Sequence, residues 1–225
     1  MKDFLIVLPV LLFSVVAHEY AHAWTAYRQG DPTAQLLGRL TLNPLPHIDP
    51  FMSVLFPLML FLVKSPFIFG AAKPVPVNPA NFRNYRRGDL IVSSAGIVMN
   101  LALAVACAGL FVAFGAAGSA ARGAVGVLGT LQRMALFGIL INVTLGLFNL
   151  IPLPPLDGSH LFAHLLPPAL AARYRALGRY GFMLLLVVFM VPGLRQVIWV
   201  PMDVALRLTF SVIGGFTLPG VGEGL

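Results

Sequence analysis

The stretch His18-Glu19-Tyr20-Ala21-His22 sets two imidazoles one helical turn apart inside the apolar run 4–27. Residues i and i+4 share one face of a helix, so both rings can reach a single metal ion. Glu19 lies on the adjoining face, near enough to hold a water on that metal and take its proton. The chemistry such a set performs is metal-assisted hydrolysis, with the carboxylate as general base. Three ionisable groups inside a membrane-length apolar helix are costly, and such groups are functional by default. The competing reading is a polar patch satisfied by neighbouring helices.

A hydrolytic zinc site takes three protein ligands and keeps its fourth position for water. Besides Glu19, the acidic residues are Asp3, Asp31, Asp49, Asp89, Asp157, Asp203 and Glu223. Asp157 is the best placed: it follows the prolines 152, 154 and 155 that break an apolar span, and Gly158 follows it. Irregular backbone at a span end is tolerated where it lines a polar cavity. His160 and His164 form a second i, i+4 pair but have no Glu between them, and they stay open as ligands. His47 and Asp49 could make a further metal pair, against a plain polar turn.

The elements that must position these groups are membrane spans. Of 225 residues, 58% are apolar and 10% charged, with a formal charge of +7, and mean hydropathy is +0.87. Soluble domains carry about 25% charged residues, so the chain reads as an all-α polytopic membrane protein. It forms one membrane domain, 1–225, with about five to six transmembrane helices. No basic run is interleaved with aromatics, so nucleic acid is not an expected partner; the bilayer is. The run 4–27 is expected as a retained span rather than a cleaved leader, because its helical pattern continues to the breakers Gly30 and Pro32. Residues 28–89 hold two short strand patterns, 39–43 and 73–78, and a 51–63 segment expected to be re-entrant. Further spans are expected at 90–114, at 126–150 and, within 178–216, at 178–194 and as a weaker one at 197–216, interrupted by Pro201, Asp203 and Arg207. In 73–78, Pro74 and Pro76 blank one strand edge, while Val75 and Val77 keep their amides on the other. Cys107 sits in an apolar run and reads as packing.

Together these motifs carry a resemblance. His18-Glu19-x-x-His22, with Asn149-x-x-Pro152-x-Pro154-x-Leu156-Asp157-Gly158 at the end of a later span, resembles the site-2 protease family of intramembrane zinc proteases. Gly96-x-x-x-Asn100 and the stretch from Gly38 to Pro50 resemble its small bacterial branch, which lacks PDZ or CBS domains. The likeness implies one zinc ion held by His18, His22 and Asp157, with Glu19 as base. It also implies a substrate- or site-supporting role for Asn149. Asn100, Val75 and Val77 are expected on the substrate side as well. The implied activity is hydrolysis of peptide bonds within or near transmembrane segments of a protein substrate.

A shared metal requires His22 and Asp157 at one depth, so the first span and the span ending at 150 run parallel with one crossing between. Loops 28–89 and 157–179 then share a side and hold Arg28, Arg39, Lys64, Lys73, Arg83, Arg86, Arg87, Arg173, Arg175 and Arg179. The opposite side holds Lys2, Arg122, Arg133 and Arg195. Positive-inside places the active site toward the cytoplasm of a cell (inner) membrane. Two other classes compete: a membrane zinc protease that cuts soluble or prenylated peptides, and a metal-binding relative or transporter without proteolysis.

Overall fold

The computed structural model describes residues 2–63, 73–120 and 125–221. In chain order the helices are α1 (Lys2–Gln29), α2 (Thr33–Leu36), α3 (Phe56–Leu62), α4 (Tyr85–Ala120), α5 (Val125–Asn149), α6 (Asp157–Ala163), α7 (Pro168–Ala176), α8 (Gly181–Met190) and α9 (Pro192–Ile213). A π-helical turn, Pro50–Leu55, precedes α3, and short 3-10 turns lie at Leu45–His47, Pro79–Asn81, Leu177–Tyr180 and Gly214–Phe216.

Four helices are long and apolar enough to cross a membrane: Phe4–Gln29, Tyr85–Ala120, Val125–Asn149 and Gly193–Phe216. At 1.5 Å per residue, even the shortest exceeds the hydrocarbon thickness of about 30 Å. α1, α4 and α5 form the central bundle. Small residues on α1 (Ala17, Ala21, Ala23, Ala26) are buried and bring its backbone near its neighbours, as membrane helix contacts require. A second core lies away from the histidines, where Phe111 of α4 and Leu136 and Ile139 of α5 meet Ile213, Leu218 and Val221. Many large apolar side chains, among them Leu5, Val105, Met183 and Val212, face outward, as a lipid-facing surface does.

The expected short strands are absent among the described residues. In 39–43, Thr41 Oγ1 accepts from the Asn43 amide (3.0 Å) and Asn43 Oδ1 from the Leu45 amide (3.1 Å). Such local side-chain bonds turn a backbone away from a ladder. The 73–78 segment pairs with no strand: the Lys73 amide donates to the His47 carbonyl at 2.8 Å, and side chains meet several of its other polar groups. Arg39 Nη2 donates to the Lys73 and Pro74 carbonyls, while the Val75 amide donates to Glu19 and the Asn78 amide to Asp31.

The C-terminal pieces also differ from expectation. The 178–194 stretch is not one helix, because α8 stops at Met190 and Val191 is extended ahead of Pro192, where proline disfavours helical backbone in the preceding residue. The stretch expected to be weaker contributes the longer helix, α9. At 51–63, α3 has seven residues, too few to cross; Lys64, Arg122 and Glu223 lie outside the described residues.

Candidate metal centre

α1 ends in a left-handed turn at Gly30 (φ 112°), and the Asp31 amide closes it back to the Ala26 carbonyl at 2.9 Å. The ordered helix above that cap carries His18 and His22 on its buried face. Their rings meet edge to face, with centroids 4.6 Å apart. His18 Nδ1 lies 2.6 Å from Asn100 Oδ1, and His22 Nδ1 lies 2.8 Å from the Val92 carbonyl, both on α4. A carbonyl oxygen only accepts, so each ring carries its proton on Nδ1. Each Nε2 is then a lone pair facing inward.

The inward atoms converge. His18 Nε2 and His22 Nε2 are 3.0 Å apart. Asp157 Oδ2 lies 3.3 Å from the first and 3.2 Å from the second. Asp157 is the first residue of α6, delivered there by the broken backbone after α5. Its Oδ2 is buried and has no donor. Three lone-pair atoms packed together without a proton among them repel, unless a cation sits between them. The edges of a zinc tetrahedron with ligand bonds near 2.0–2.1 Å are about 3.4 Å, close to the distances found. The residues therefore fit a zinc ion.

Glu19 Oε2 accepts the Val75 amide at 2.7 Å. Val75 was expected to offer that amide on a free edge, and here it is taken. Val77 packs into a small core with Ala26, Phe82 and Val92. Asn100 was expected on the substrate side; it is fully buried, with its amide spent on His18 and Asn142. Asn149 Nδ2 donates one turn back to the Leu145 carbonyl.

The second histidine pair does not join the trio. His160 Nδ1 lies 3.3 Å from Asp89 Oδ1, and His164 Nε2 lies 2.7 Å from Asp89 Oδ2. The bond to Asp89 raises the His160 pKa above its ordinary value, against burial, which lowers it. These contacts fasten α6 to the start of α4. His47 is buried with Nε2 on the Thr41 carbonyl and makes no pair with Asp49. Sequence reasoning passed over Asp89 and Asp31. Asp31 is fully buried and accepts from the Thr33 amide and hydroxyl, the Asn78 amide and Asn81 Nδ2. Burial pushes its pKa up, and these donors outweigh that and hold it below the usual carboxylate range. The available signal in both cases is an acidic residue flanking an apolar span.

Known proteins resemble this chain closely. Residues 6–189 match the model of peptidase family M50. The chain is 41% identical over 189 residues to "Putative zinc metalloprotease YwhC" of Bacillus subtilis, covering 84% of this chain and 82% of that protein. It is 33% identical over 195 residues to "Putative zinc metalloprotease Rip2" of Mycolicibacterium smegmatis, covering 86% and 70%. With the Mycobacterium tuberculosis protein of the same name it shares 33% over 193 residues, covering 85% and 69%. No solved structure matches to a significant degree.

Proposed function

This chain belongs to peptidase family M50 and is a multi-pass membrane zinc metalloprotease, and from the geometry of its site we propose that it cuts peptide bonds within or beside the transmembrane segments of protein substrates. One observation carries the reading. His18, His22 and Asp157 converge where α1, α4 and α6 meet, among apolar helices, and not on a water-facing loop. In this reading they hold a single zinc ion.

When bound, zinc supplies a Lewis acid for the scissile carbonyl and makes water acidic enough to react near neutral pH. His18 and His22 turn Nε2 inward, with their Nδ1 protons pinned by Asn100 and the Val92 carbonyl. Asp157 contributes the one negative charge. Glu19 takes the proton from the attacking water and hands it to the leaving amine. The Val75 amide steadies Glu19 through Oε2. A transmembrane substrate hides its carbonyls in its own helix and must unwind to present one, which costs several kcal/mol for each group left unpaired in lipid. Substrate reaching Glu19 passes beside the 73–78 segment, with Val75 nearest the base and Asn149 supporting the site from the end of α5.

The test is Glu19→Gln in detergent-solubilised protein. It keeps the metal ligands and removes only the base, so zinc content stays at the wild-type level. Cleavage of a model transmembrane peptide falls by roughly 10²- to 10⁴-fold. Cleavage near the wild-type rate would remove Glu19 from the mechanism. Zinc undiminished in His22→Ala would break the ligand set.

A further inference from the structure

We propose that Asn142, backed by Ser14, is a positioning residue for the metal centre: it fixes which way the Asn100 amide faces, and so which nitrogen of His18 is left to bind metal. This rests on the ligand set proposed above. One group in this network has a role that cannot change. The Val10 carbonyl only accepts, and Ser14 Oγ lies 2.8 Å from it, so the hydroxyl proton points there. Ser14 Oγ is left to accept. Asn142 Nδ2 lies 2.9 Å from Ser14 Oγ and 2.9 Å from the Gly138 carbonyl. Two acceptors at one end place the NH2 of Asn142 there. Its Oδ1 therefore faces Asn100, and an amide oxygen only accepts.

Asn100 must answer with a donor. Its Nδ2 lies 2.8 Å from Asn142 Oδ1, with the Ser14 carbonyl a longer second acceptor at 3.5 Å, which turns its Oδ1 toward His18 Nδ1 at 2.6 Å. His18 then holds its proton on Nδ1 and presents the Nε2 lone pair inward. Reversing the Asn100 amide would reverse everything beyond it. The NH2 would face His18, the ring would have to accept on Nδ1, and its proton would move to Nε2, onto the metal position.

Each step lies out of water. Ser14, Asn100 and Asn142 are each no more than 1% exposed, so no solvent can correct a wrong orientation. The chain also closes on itself: it leaves α1 at Ser14, crosses α5 and α4, and returns to α1 at His18, one turn along the same face. Asn142 touches no metal-directed atom and acts only through Asn100.

The experiment measures zinc affinity of the full-length protein in detergent by competition with a chelator. Asn142→Leu removes the nearer of the two acceptors that orient Asn100 and leaves only the Ser14 carbonyl at 3.5 Å, and zinc affinity should fall roughly tenfold, the lower end for groups that orient a metal ligand. Asn100→Asp provides the rescue. A carboxylate has no NH2 face to misdirect, and carboxylate–histidine pairs serve metal sites well. In the Asn100→Asp background, adding Asn142→Leu should therefore cost less than about twofold. A purely structural role for Asn142 would carry the same loss into both backgrounds, and that result overturns the proposal. So does an unchanged affinity for Asn142→Leu alone. If the leucine variant does not fold, Asn142→Ala removes the same acceptor with less bulk and is read in the same two backgrounds. His22→Ala, run alongside, separates the two readings. If it keeps zinc, the ligand set is wrong and this inference falls with it. If it loses zinc while the Asn142 variants do not, this inference alone falls.

Discussion

At Gly96 the backbone of α4 forms one wall of the metal centre. A Cβ there would stand 2.4 Å from His18 Cε1, 2.5 Å from His22 Nε2 and 2.6 Å from His18 Nε2. Neither ring can swing aside freely, because each is tethered through Nδ1 to the same helix. Gly96→Ala should therefore disturb the ligands more than the fold. Overpacking of a tight site costs about 1–3 kcal/mol, which is roughly a 5- to 150-fold loss of zinc affinity. Metal analysis and chelator competition check this, and full zinc retention in Gly96→Ala would displace Gly96 from the wall. The two histidines were legible in the sequence because i, i+4 spacing is local and needs no tertiary knowledge. Asp157 was legible by its place at a broken span end, and the structure brings it to them. The role of Asn100 was not. A buried amide advertises that it needs partners, and only the packing of three helices shows that one of them is His18.

Between the elements, two carboxylates away from the metal hold the pieces that carry the site. Asp89, 4% exposed on α4, ties down α6 through His160 and His164. Since α6 begins at Asp157, Asp89→Leu should loosen the third ligand. Losing hydrogen bonds to a charged group costs about 1.5–3 kcal/mol. The variant should melt at lower temperature and bind zinc more weakly; zinc affinity equal to wild type would show that α6 is placed without Asp89. Asp31 ties the end of α1 to the 73–81 segment, which carries Val75 over Glu19. Asp31→Ala should lower cleavage while zinc stays bound, because the metal ligands are untouched. Losing hydrogen bonds to a charged group costs about 1.5–3 kcal/mol of stability. The depressed Asp31 pKa fixes the sign with pH. Its stabilising effect is fully present above the ordinary carboxylate value of about 3.9 and is lost as pH falls through the lower folded value. An acid melting series should show that loss in wild type and lack it in Asp31→Ala. Strand patterns misled at 39–43 and 73–78 for a related reason. Alternation marks an extended backbone, but Asp31, Arg39 and Glu19 satisfy it with side chains, which periodicity does not register.

Across the whole molecule, the contact of His18 with Asp157 sets the depth of the C-terminal halves of α1 and α5 and makes the two helices parallel, with α4 returning between them. The C-terminal region follows from its own contacts. Gly181 sits against Pro155, and Phe189 stacks on Phe148 at 6.0 Å between centroids. Both ends of α8 thus stay beside the end of α5 that leads to Asp157, and ten residues, about 15 Å, do not cross. At the other end of α9, Gln132 Nε2 donates to the Phe216 carbonyl and Gln132 Oε1 accepts the Leu218 amide. That end lies by the start of α5, far from the metal centre. α9 therefore begins on the active-site side and finishes on the opposite one. This moves Arg195, near the start of α9, to the active-site side. The sequence had placed it opposite by reading 178–194 as a crossing. The ten basic residues already assigned to that side become eleven, against Lys2, Arg122, Arg133 and Arg207, the last toward the far end of α9. On the positive-inside rule we propose that the active site faces the cytoplasm. Single cysteines in a Cys107→Ala background test the arrangement. Leu45→Cys and Arg195→Cys should both resist a membrane-impermeant thiol reagent applied to intact cells and react in inverted vesicles. Ala120→Cys, at the far end of α4, should do the reverse. If Leu45→Cys and Arg195→Cys label from opposite sides, α8 is part of a crossing after all. If both label from outside, the spans keep their order and the molecule sits the other way up, with its basic residues facing out and the charge argument lost.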